Sequence, residues 1–188
     1  MKIKFWCGIL FILLIFSIVF LLNIDKKETV AVIGAMAVEI DEIQANISNP
    51  KYINKFDFKI ITGTLGKYNI ILSESGVGKT ASASTTQFII DNYHPKYIIN
   101  IGLAGSLSPD LKSGDAIIAE KMIYHDFDVT AFGSPKGYTD NGIEPNKPTI
   151  FVSDKALIKK FEKNNSLKRV TIATGDIFVT DNILKQSI

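Results

Sequence analysis

Residues Tyr97–Gly133 read YIINIGLAGSLSPDLKSGDAIIAEKMIYHDFDVTAFG. Tyr97–Ile101 is mostly β-branched and apolar, a pattern that suits a central parallel strand buried on both faces. Gly102 and Gly105 then flank Leu103-Ala104 at the end of this strand. Small residues there let backbone approach a ligand, and a plain tight turn explains them equally well. Asp115–Tyr124 reads as a second strand. It delivers a polar segment, His125-Asp126-Phe127-Asp128, followed by Val129-Thr130-Ala131-Phe132.

Outward from this stretch, strands and helices alternate. Val30–Ile33 is a short apolar run ending at Gly34, and Ala37–Ile47 carries apolar residues near helical spacing, giving strand, turn and helix. Phe56–Thr62 and Asn69–Ser73 flank Gly63 and Gly66 and read as two tightly joined strands. Gly78–Tyr93 reads as a helix that ends before Pro95. On the other side, Gly133–Pro148 is rich in Gly, Pro, Asn and Lys and predicts a long surface loop. Ser153 is placed to cap a helix through about Asn164, and Val170–Ala173 predicts a further strand. Strands alternating with helices imply α/β layering in one domain over residues 29–188.

The first 28 residues form a separate element. Phe5–Ile24 contains no charged side chain, and about 20 helical residues at 1.5 Å each span the roughly 30 Å hydrocarbon layer. The expectation is an N-terminal membrane helix, favoured as an uncleaved anchor over a signal peptide because no Ala-x-Ala pattern closes the run. A buried core helix is the minor alternative. Lys2 and Lys4 precede the span, so the positive-inside bias puts the N-terminus in the cytoplasm and the domain outside, periplasmic or extracytoplasmic. Cys7, the single cysteine, lies inside the span, which excludes an intrachain disulfide and a cysteine metal site.

The formal charge is +2, from 21 basic and 19 acidic residues; without Lys2 and Lys4 the count is 19 against 19. Such a balance gives no argument for nucleic-acid binding. Lys155–Arg169 is locally basic, which reads as a solvated helix face before an anion-binding patch.

Three constellations carry possible chemistry. Ser73-Glu74-Ser75-Gly76-Val77-Gly78-Lys79-Thr80 nearly matches the phosphate loop G-x-x-x-x-G-K-[ST]. The missing first glycine is a serious defect, because it permits the turn that aims backbone N–H groups at phosphate. Glu39 follows the first strand at the carboxyl end, where ligand crevices open in α/β sheets. It is either a water-activating base or a solvated carboxylate favoured by the helix dipole. His125, Asp126 and Asp128 have ligand chemistry for a divalent ion. No partner spacing ties them to His94, the other histidine, and the reading assigns no metal and no cofactor.

Gly34–Ile40 (GAMAVEI), the YHDFDVTAFG run and Thr174–Val179 (TGDIFV) together resemble the 5'-methylthioadenosine/S-adenosylhomocysteine nucleosidases of the purine nucleoside phosphorylase superfamily. Their S-G-[IV]-G-K run also matches the near-miss phosphate loop without invoking a nucleoside triphosphate. The resemblance implies a mixed central sheet flanked by helices and hydrolysis of an adenine N-glycosidic bond in methionine salvage. It implies that Glu39 orients and deprotonates the attacking water. Gly105 and Leu103 fall on substrate-binding positions, although Leu103 replaces a serine of the family's T-G-S-A-G. Losing such a neutral hydrogen bond costs on the order of 0.5 to 1.5 kcal/mol. Phe178 would lie on the purine face, and the backbone of Val179 would read the adenine edge. Val129 and Phe132 would reach a neighbouring subunit's thioether pocket, which implies a homodimer.

The family's late [IV]-S-D and V-E-M-E motifs, which supply its general acid and a ribose-binding glutamate, do not occur in the sequence. A C-terminally shortened product is therefore expected, and loss of general acid catalysis typically costs about 10² to 10⁴ in rate. Two rival expectations stand beside the nucleosidase. One is a phosphate-loop NTPase; the other is an inactive fragment or outward-facing binding protein using the Lys155–Arg169 surface.

Overall fold

A computed structural model describes residues 27–138, 149–163, 165–180, 185–186 and 188. The expected membrane helix over Phe5–Ile24 lies outside these residues. Among the described residues, no helix is long and apolar enough to cross a membrane. Residues 139–148 of the expected loop also lie outside them. The described chain divides into two compact units, one of residues up to 76 with 83–102, the other of residues 77–82 with 103–188.

The first unit is built on a five-stranded sheet in the order β2-β3-β4-β1-β5. Its strands are β1 (Thr29–Gly34), β2 (Ser48–Lys55), β3 (Phe58–Leu65), β4 (Tyr68–Glu74) and β5 (Tyr97–Asn100). Helix α1 (Ala37–Ala45) follows β1, and α2 (Lys79–Tyr93) precedes β5. β1 runs parallel to β4 and to β5, while β2, β3 and β4 form an antiparallel meander, so the sheet is mixed.

Alternation along β1 explains the core. Val30 and Val32 pack with Ile40 and Ile47 around the α1 side, with Ile61, Ile70 and Leu72 from neighbouring strands. Ala31 and Ile33 point the other way, into a cluster with Ile60, Ile71 and Ile89 of α2. Successive side chains of a strand face opposite sides, so β1 is covered on both. Burying each such aliphatic side chain contributes about 1.5 to 3 kcal/mol. Phe58 and Phe88 stack with ring centroids 4.4 Å apart, closing the second cluster.

Three details of this unit differ from the sequence reading. Tyr97–Ile101 is parallel as expected, but β5 is the terminal strand of this sheet and only partly buried. β2 is an additional strand that its polar sequence SNPKYINK concealed. It is an exposed edge with a register shift between Ser48 and Lys51, where Pro50 lacks a donor for the ladder. Phe56 is in a turn and not a strand: Phe56 and Asp57, at φ 51° and 66°, join β2 to β3. Two consecutive positive φ values match the twist of a two-residue hairpin.

The second unit carries a three-stranded sheet in the order β7-β6-β8. β6 (Ile117–Tyr124) pairs antiparallel with the short β7 (Phe151–Val152) and parallel with β8 (Lys168–Thr174). Helix α3 (Lys155–Glu162) buries Ile158. Its N-cap is Asp154, not Ser153: the Asp154 carboxylate accepts from the Leu157 N–H at 2.8 Å. An ionised cap also interacts with the helix dipole, which a serine hydroxyl does not match.

Candidate active site

In the first unit, the chemistry gathers at the carboxyl end of β1. Glu39 is the third residue of α1, and its Oε2 accepts from the backbone N–H of Ala35 at 2.7 Å and of Met36 at 2.9 Å. Glu39 N–H in turn donates to Met36 O at 3.0 Å, so the first turn is closed reciprocally. One carboxylate oxygen is thereby fixed by the backbone that leaves β1. The other faces Gly102: a Cβ added at Gly102 would lie 2.8 Å from Glu39 Oε1. A side chain at position 102 would have to displace this carboxylate, which gives the glycine after Ile101 a use beyond a plain turn. The Ile101 N–H donates to Ile33 O at 3.0 Å, extending the β1–β5 pairing up to this point. Two segments that the sequence analysis singled out separately, GAMAVEI and the glycine after Ile101, are thus brought together.

In the second unit, Leu103 is 81% exposed, and a Cβ at Gly105 would meet nothing within 4 Å. Phe178 and Phe132 are 87% and 88% exposed, the two most exposed large apolar side chains of the described chain. Val129 and Val179 are partly buried. Phe132 ends a short 3₁₀ turn, Thr130–Phe132. That turn is held by Asp128, whose Oδ1 accepts from the Thr130 N–H at 3.0 Å and hydroxyl at 2.7 Å. These bonds hold the Asp128 carboxyl below its ordinary range.

The sequence reading missed an ion cluster in this unit. Lys79 Nζ donates to Asp126 Oδ1 at 2.6 Å and lies 3.7 Å from Asp176 Oδ2. The Lys79 backbone N–H donates to Asp176 Oδ1 at 2.7 Å, and the Asp176 N–H donates to Asp126 Oδ2 at 2.6 Å. The Asp126 side chain is 6% exposed. Burial pushes its pKa up, but the bonds from Lys79 and from the Asp176 N–H outweigh this and hold it below the usual carboxylate range. The bond to Asp126 raises Lys79 correspondingly. Lys79 Nζ also sits 5.0 Å from the centroid of the Tyr124 ring, a favourable cation–π distance.

This cluster removes the basis of the phosphate-loop reading. The Lys79 ammonium is committed to two carboxylates, and the helix N–H that would face phosphate is taken by Asp176. Ser73, the residue in place of the loop's first glycine, belongs to β4; its buried hydroxyl donates to Lys59 O at 3.0 Å. Nor do His125, Asp126 and Asp128 converge. Among the described residues no group of three or more His, Cys, Asp or Glu is arranged to hold a metal ion. His125 Nδ1 is buried without a hydrogen-bond partner among those residues. The basic stretch near α3 is also largely spoken for at its end. Arg169 forks onto Glu162 at 2.5 and 2.8 Å and reaches Glu120 at 3.1 Å, while Lys168 lies 3.6 Å from Asp115.

Comparison with known proteins gives a consistent picture. The sequence pattern described as "Phosphorylase superfamily" matches residues 29–186. A 5'-methylthioadenosine/S-adenosylhomocysteine nucleosidase of Pseudoalteromonas translucida is 36% identical over 160 residues, covering 82% of this chain and 66% of that protein. The chain thus spans just under two thirds of the length of this relative. The solved S-adenosylhomocysteine nucleosidase of Streptococcus pyogenes, in complex with 5-methylthiotubericidin, superposes with a TM-score of 0.78 at 29% identity, over 88% of this chain and 70% of that one. The 5'-methylthioadenosine/S-adenosylhomocysteine nucleosidase of Neisseria meningitidis, in complex with methylthio-immucillin-A, superposes with a TM-score of 0.76 at 33% identity, over 85% and 70%.

Proposed function

As the chain belongs to the phosphorylase superfamily, we propose that it acts as its nucleosidase relatives are named to act, hydrolysing the N-glycosidic bond of 5'-methylthioadenosine and S-adenosylhomocysteine to adenine and the thioribose. The observation that carries this reading is the fixed carboxylate of Glu39, tethered through one oxygen and approached through the other by a glycine. Water attacks the ribosyl carbon, the bond to the purine breaks with its electron pair going to the base, and Glu39 accepts the proton that water loses. Positive charge develops on the sugar as the bond breaks, so a carboxylate fixed in place by backbone N–H groups also stabilises the transition state electrostatically. The departing adenine anion takes its proton from solvent water.

Phe178 is the aromatic surface for the purine, and Val179 presents its backbone to the adenine edge. Leu103 and Gly105 line the ribose side. The exposed Phe132, with Val129, provides an apolar surface that a second copy of the chain would cover in a homodimer. The charge-free segment Phe5–Ile24 anchors the protein, with the domain outside the cytoplasmic membrane. Release of the full chain from membranes by alkaline carbonate would contradict that anchoring.

The test of the activity is product analysis with 5'-methylthioadenosine. Adenine and free thioribose should form in equal amounts in buffer without phosphate. Release that requires phosphate and yields a sugar 1-phosphate, or no release above the uncatalysed background, would overturn the reading.

A further inference from the structure

Phe178 poses a physical problem for the function proposed above. A ring that is 87% exposed has little packing of its own to fix its orientation. A stacking surface that wanders must be ordered each time a purine binds, which weakens affinity. The segment that carries it is nevertheless pinned at Gly175-Asp176, two to three residues before the ring. The Asp176 N–H donates to Asp126 Oδ2 at 2.6 Å, and Asp176 Oδ1 accepts from the Lys79 N–H at 2.7 Å. Lys79 Nζ closes the ring of contacts by donating to Asp126 Oδ1 at 2.6 Å. At Gly175 a Cβ would come within 2.5 Å of His125 Nε2 and 2.8 Å of Asp126 Cγ, so this backbone is seated directly against the HDFD segment. The His125 N–H donates to Thr174 O at 3.0 Å, tying the same two segments one residue earlier.

We propose that Lys79, Asp126 and Asp176 form a positioning clamp that sets the backbone path of residues 175–179 and thereby the presentation of Phe178 to the purine. All three side chains, and both strands that lead into the clamp, belong to one compact unit. The clamp rests on the proposed base-binding role of Phe178 for its functional meaning, but not for its structural content. None of the three residues is a catalytic residue in this assignment. Lys79 acts by neutralising two carboxylates that would otherwise repel each other, and Asp126 acts by accepting from the Asp176 backbone at the point where the chain leaves β8. The sequence motif that looked like a phosphate loop is thereby given a use: its lysine and helix N-terminus take a protein carboxylate in place of a phosphate.

The experiment compares Asp126→Ala, Lys79→Met and Lys79→Arg with the unaltered chain by two measurements. Amide hydrogen exchange reports local opening. Titration with 5'-methylthioadenosine, analysed as KM against kcat, reports how the ring is presented. The clamp predicts that Asp126→Ala and Lys79→Met speed exchange at the Asp176 amide by about 10-fold or more, as loss of a charge-assisted hydrogen bond implies. Amides of the β6–β8 ladder, such as Ile123 and Ile172, should remain protected. KM should rise by about 10-fold while kcat falls by less than about 3-fold, and Lys79→Arg should retain both values within about 3-fold. Unchanged exchange at the Asp176 amide in Lys79→Met overturns the clamp. So does a uniform rise over the whole unit in Lys79→Met, which would make the cluster general scaffolding. Asp126→Ala is interpreted only against this second variant, since it strips a nearly buried charge and can unfold the unit. If exchange changes as predicted but KM does not, the clamp stands and the base-binding role of Phe178 fails.

Discussion

Glu39 and Asp126 are both carboxylates that accept backbone N–H bonds, yet they are held in opposite ways. Glu39 takes its donors from Ala35 and Met36, four and three residues before it on the same turn. Asp126 takes its donors from Lys79 and Asp176, 47 and 50 residues away. The first is set by a local helix start at the end of β1, a strand covered on both faces. The second exists only when β6, β8 and the start of α2 have come together, and it depends on opposite charges being ionised at once. A carboxylate fixed by its own helix turn is insensitive to distant charge changes, whereas a segment held by ion pairs distant in sequence responds to pH and to single charge changes.

Breaking the scaffold of the first region should have the largest effect. Leu72 is fully buried between β1 and β3. Leu72→Ala should lower unfolding free energy by about 2 to 5 kcal/mol, read from denaturant melts. The comparison is sharpened by Gly102→Ala, whose Cβ would meet Glu39 Oε1 at 2.8 Å. Here stability should change little, while turnover falls by about 10- to 100-fold, because a 1 Å displacement of a catalytic group is costly even when the fold is intact. Equal losses of stability and turnover would show that the contact is structural only.

The second region should be the one that responds to acid. Asp126 has a folded pKa below its ordinary value near 3.8, so its contribution is complete above that value and is lost as pH falls through the folded one. Lys79 has a folded pKa above 10.5, so its share is complete below that value and is lost only as pH rises through the folded pKa. The clamp is thus intact across neutral pH and opens in acid. Protection of the Asp176 amide should fall below about pH 4 in the unaltered chain, and Asp126→Asn should remove most of this dependence. The smallest effect is expected at the cap of α3. Asp154→Ala should cost about 1 kcal/mol in thermal or denaturant unfolding and leave turnover unchanged.

The same contrast explains how much could be read in advance. Local pattern was enough for β1, α1, β6 and β8, where apolar residues recur at the element's own spacing, and for α2, whose end is marked by Pro95. The α/β architecture and the position of Glu39 at a strand's carboxyl end were legible for the same reason. β2 was not, since an edge strand is permitted to be polar and to contain proline, so SNPKYINK carries a loop's composition. Ser153 lost the cap to Asp154 by one residue, a distinction that two adjacent good capping residues leave open. The ion cluster was invisible in a different sense. Lys79, Asp126 and Asp176 each stood in a recognised motif, but those motifs suggested a phosphate, a metal and a purine-stacking loop, and only tertiary structure shows the three charges neutralising one another.

We propose a division of labour, with Glu39 driving water onto the sugar and Phe178 holding the base. Parallel measurement of adenine release and of 5'-methylthioadenosine affinity in Glu39→Gln and Phe178→Ala tests it directly. Glu39→Gln should bind within about 3-fold of the unaltered chain and release adenine about 10² to 10⁴ more slowly. Phe178→Ala should lose about 1 to 3 kcal/mol of affinity, the usual worth of an aromatic ring stacked on a base, with a much smaller change in the rate at saturation. Undiminished adenine release by Glu39→Gln would contradict the account.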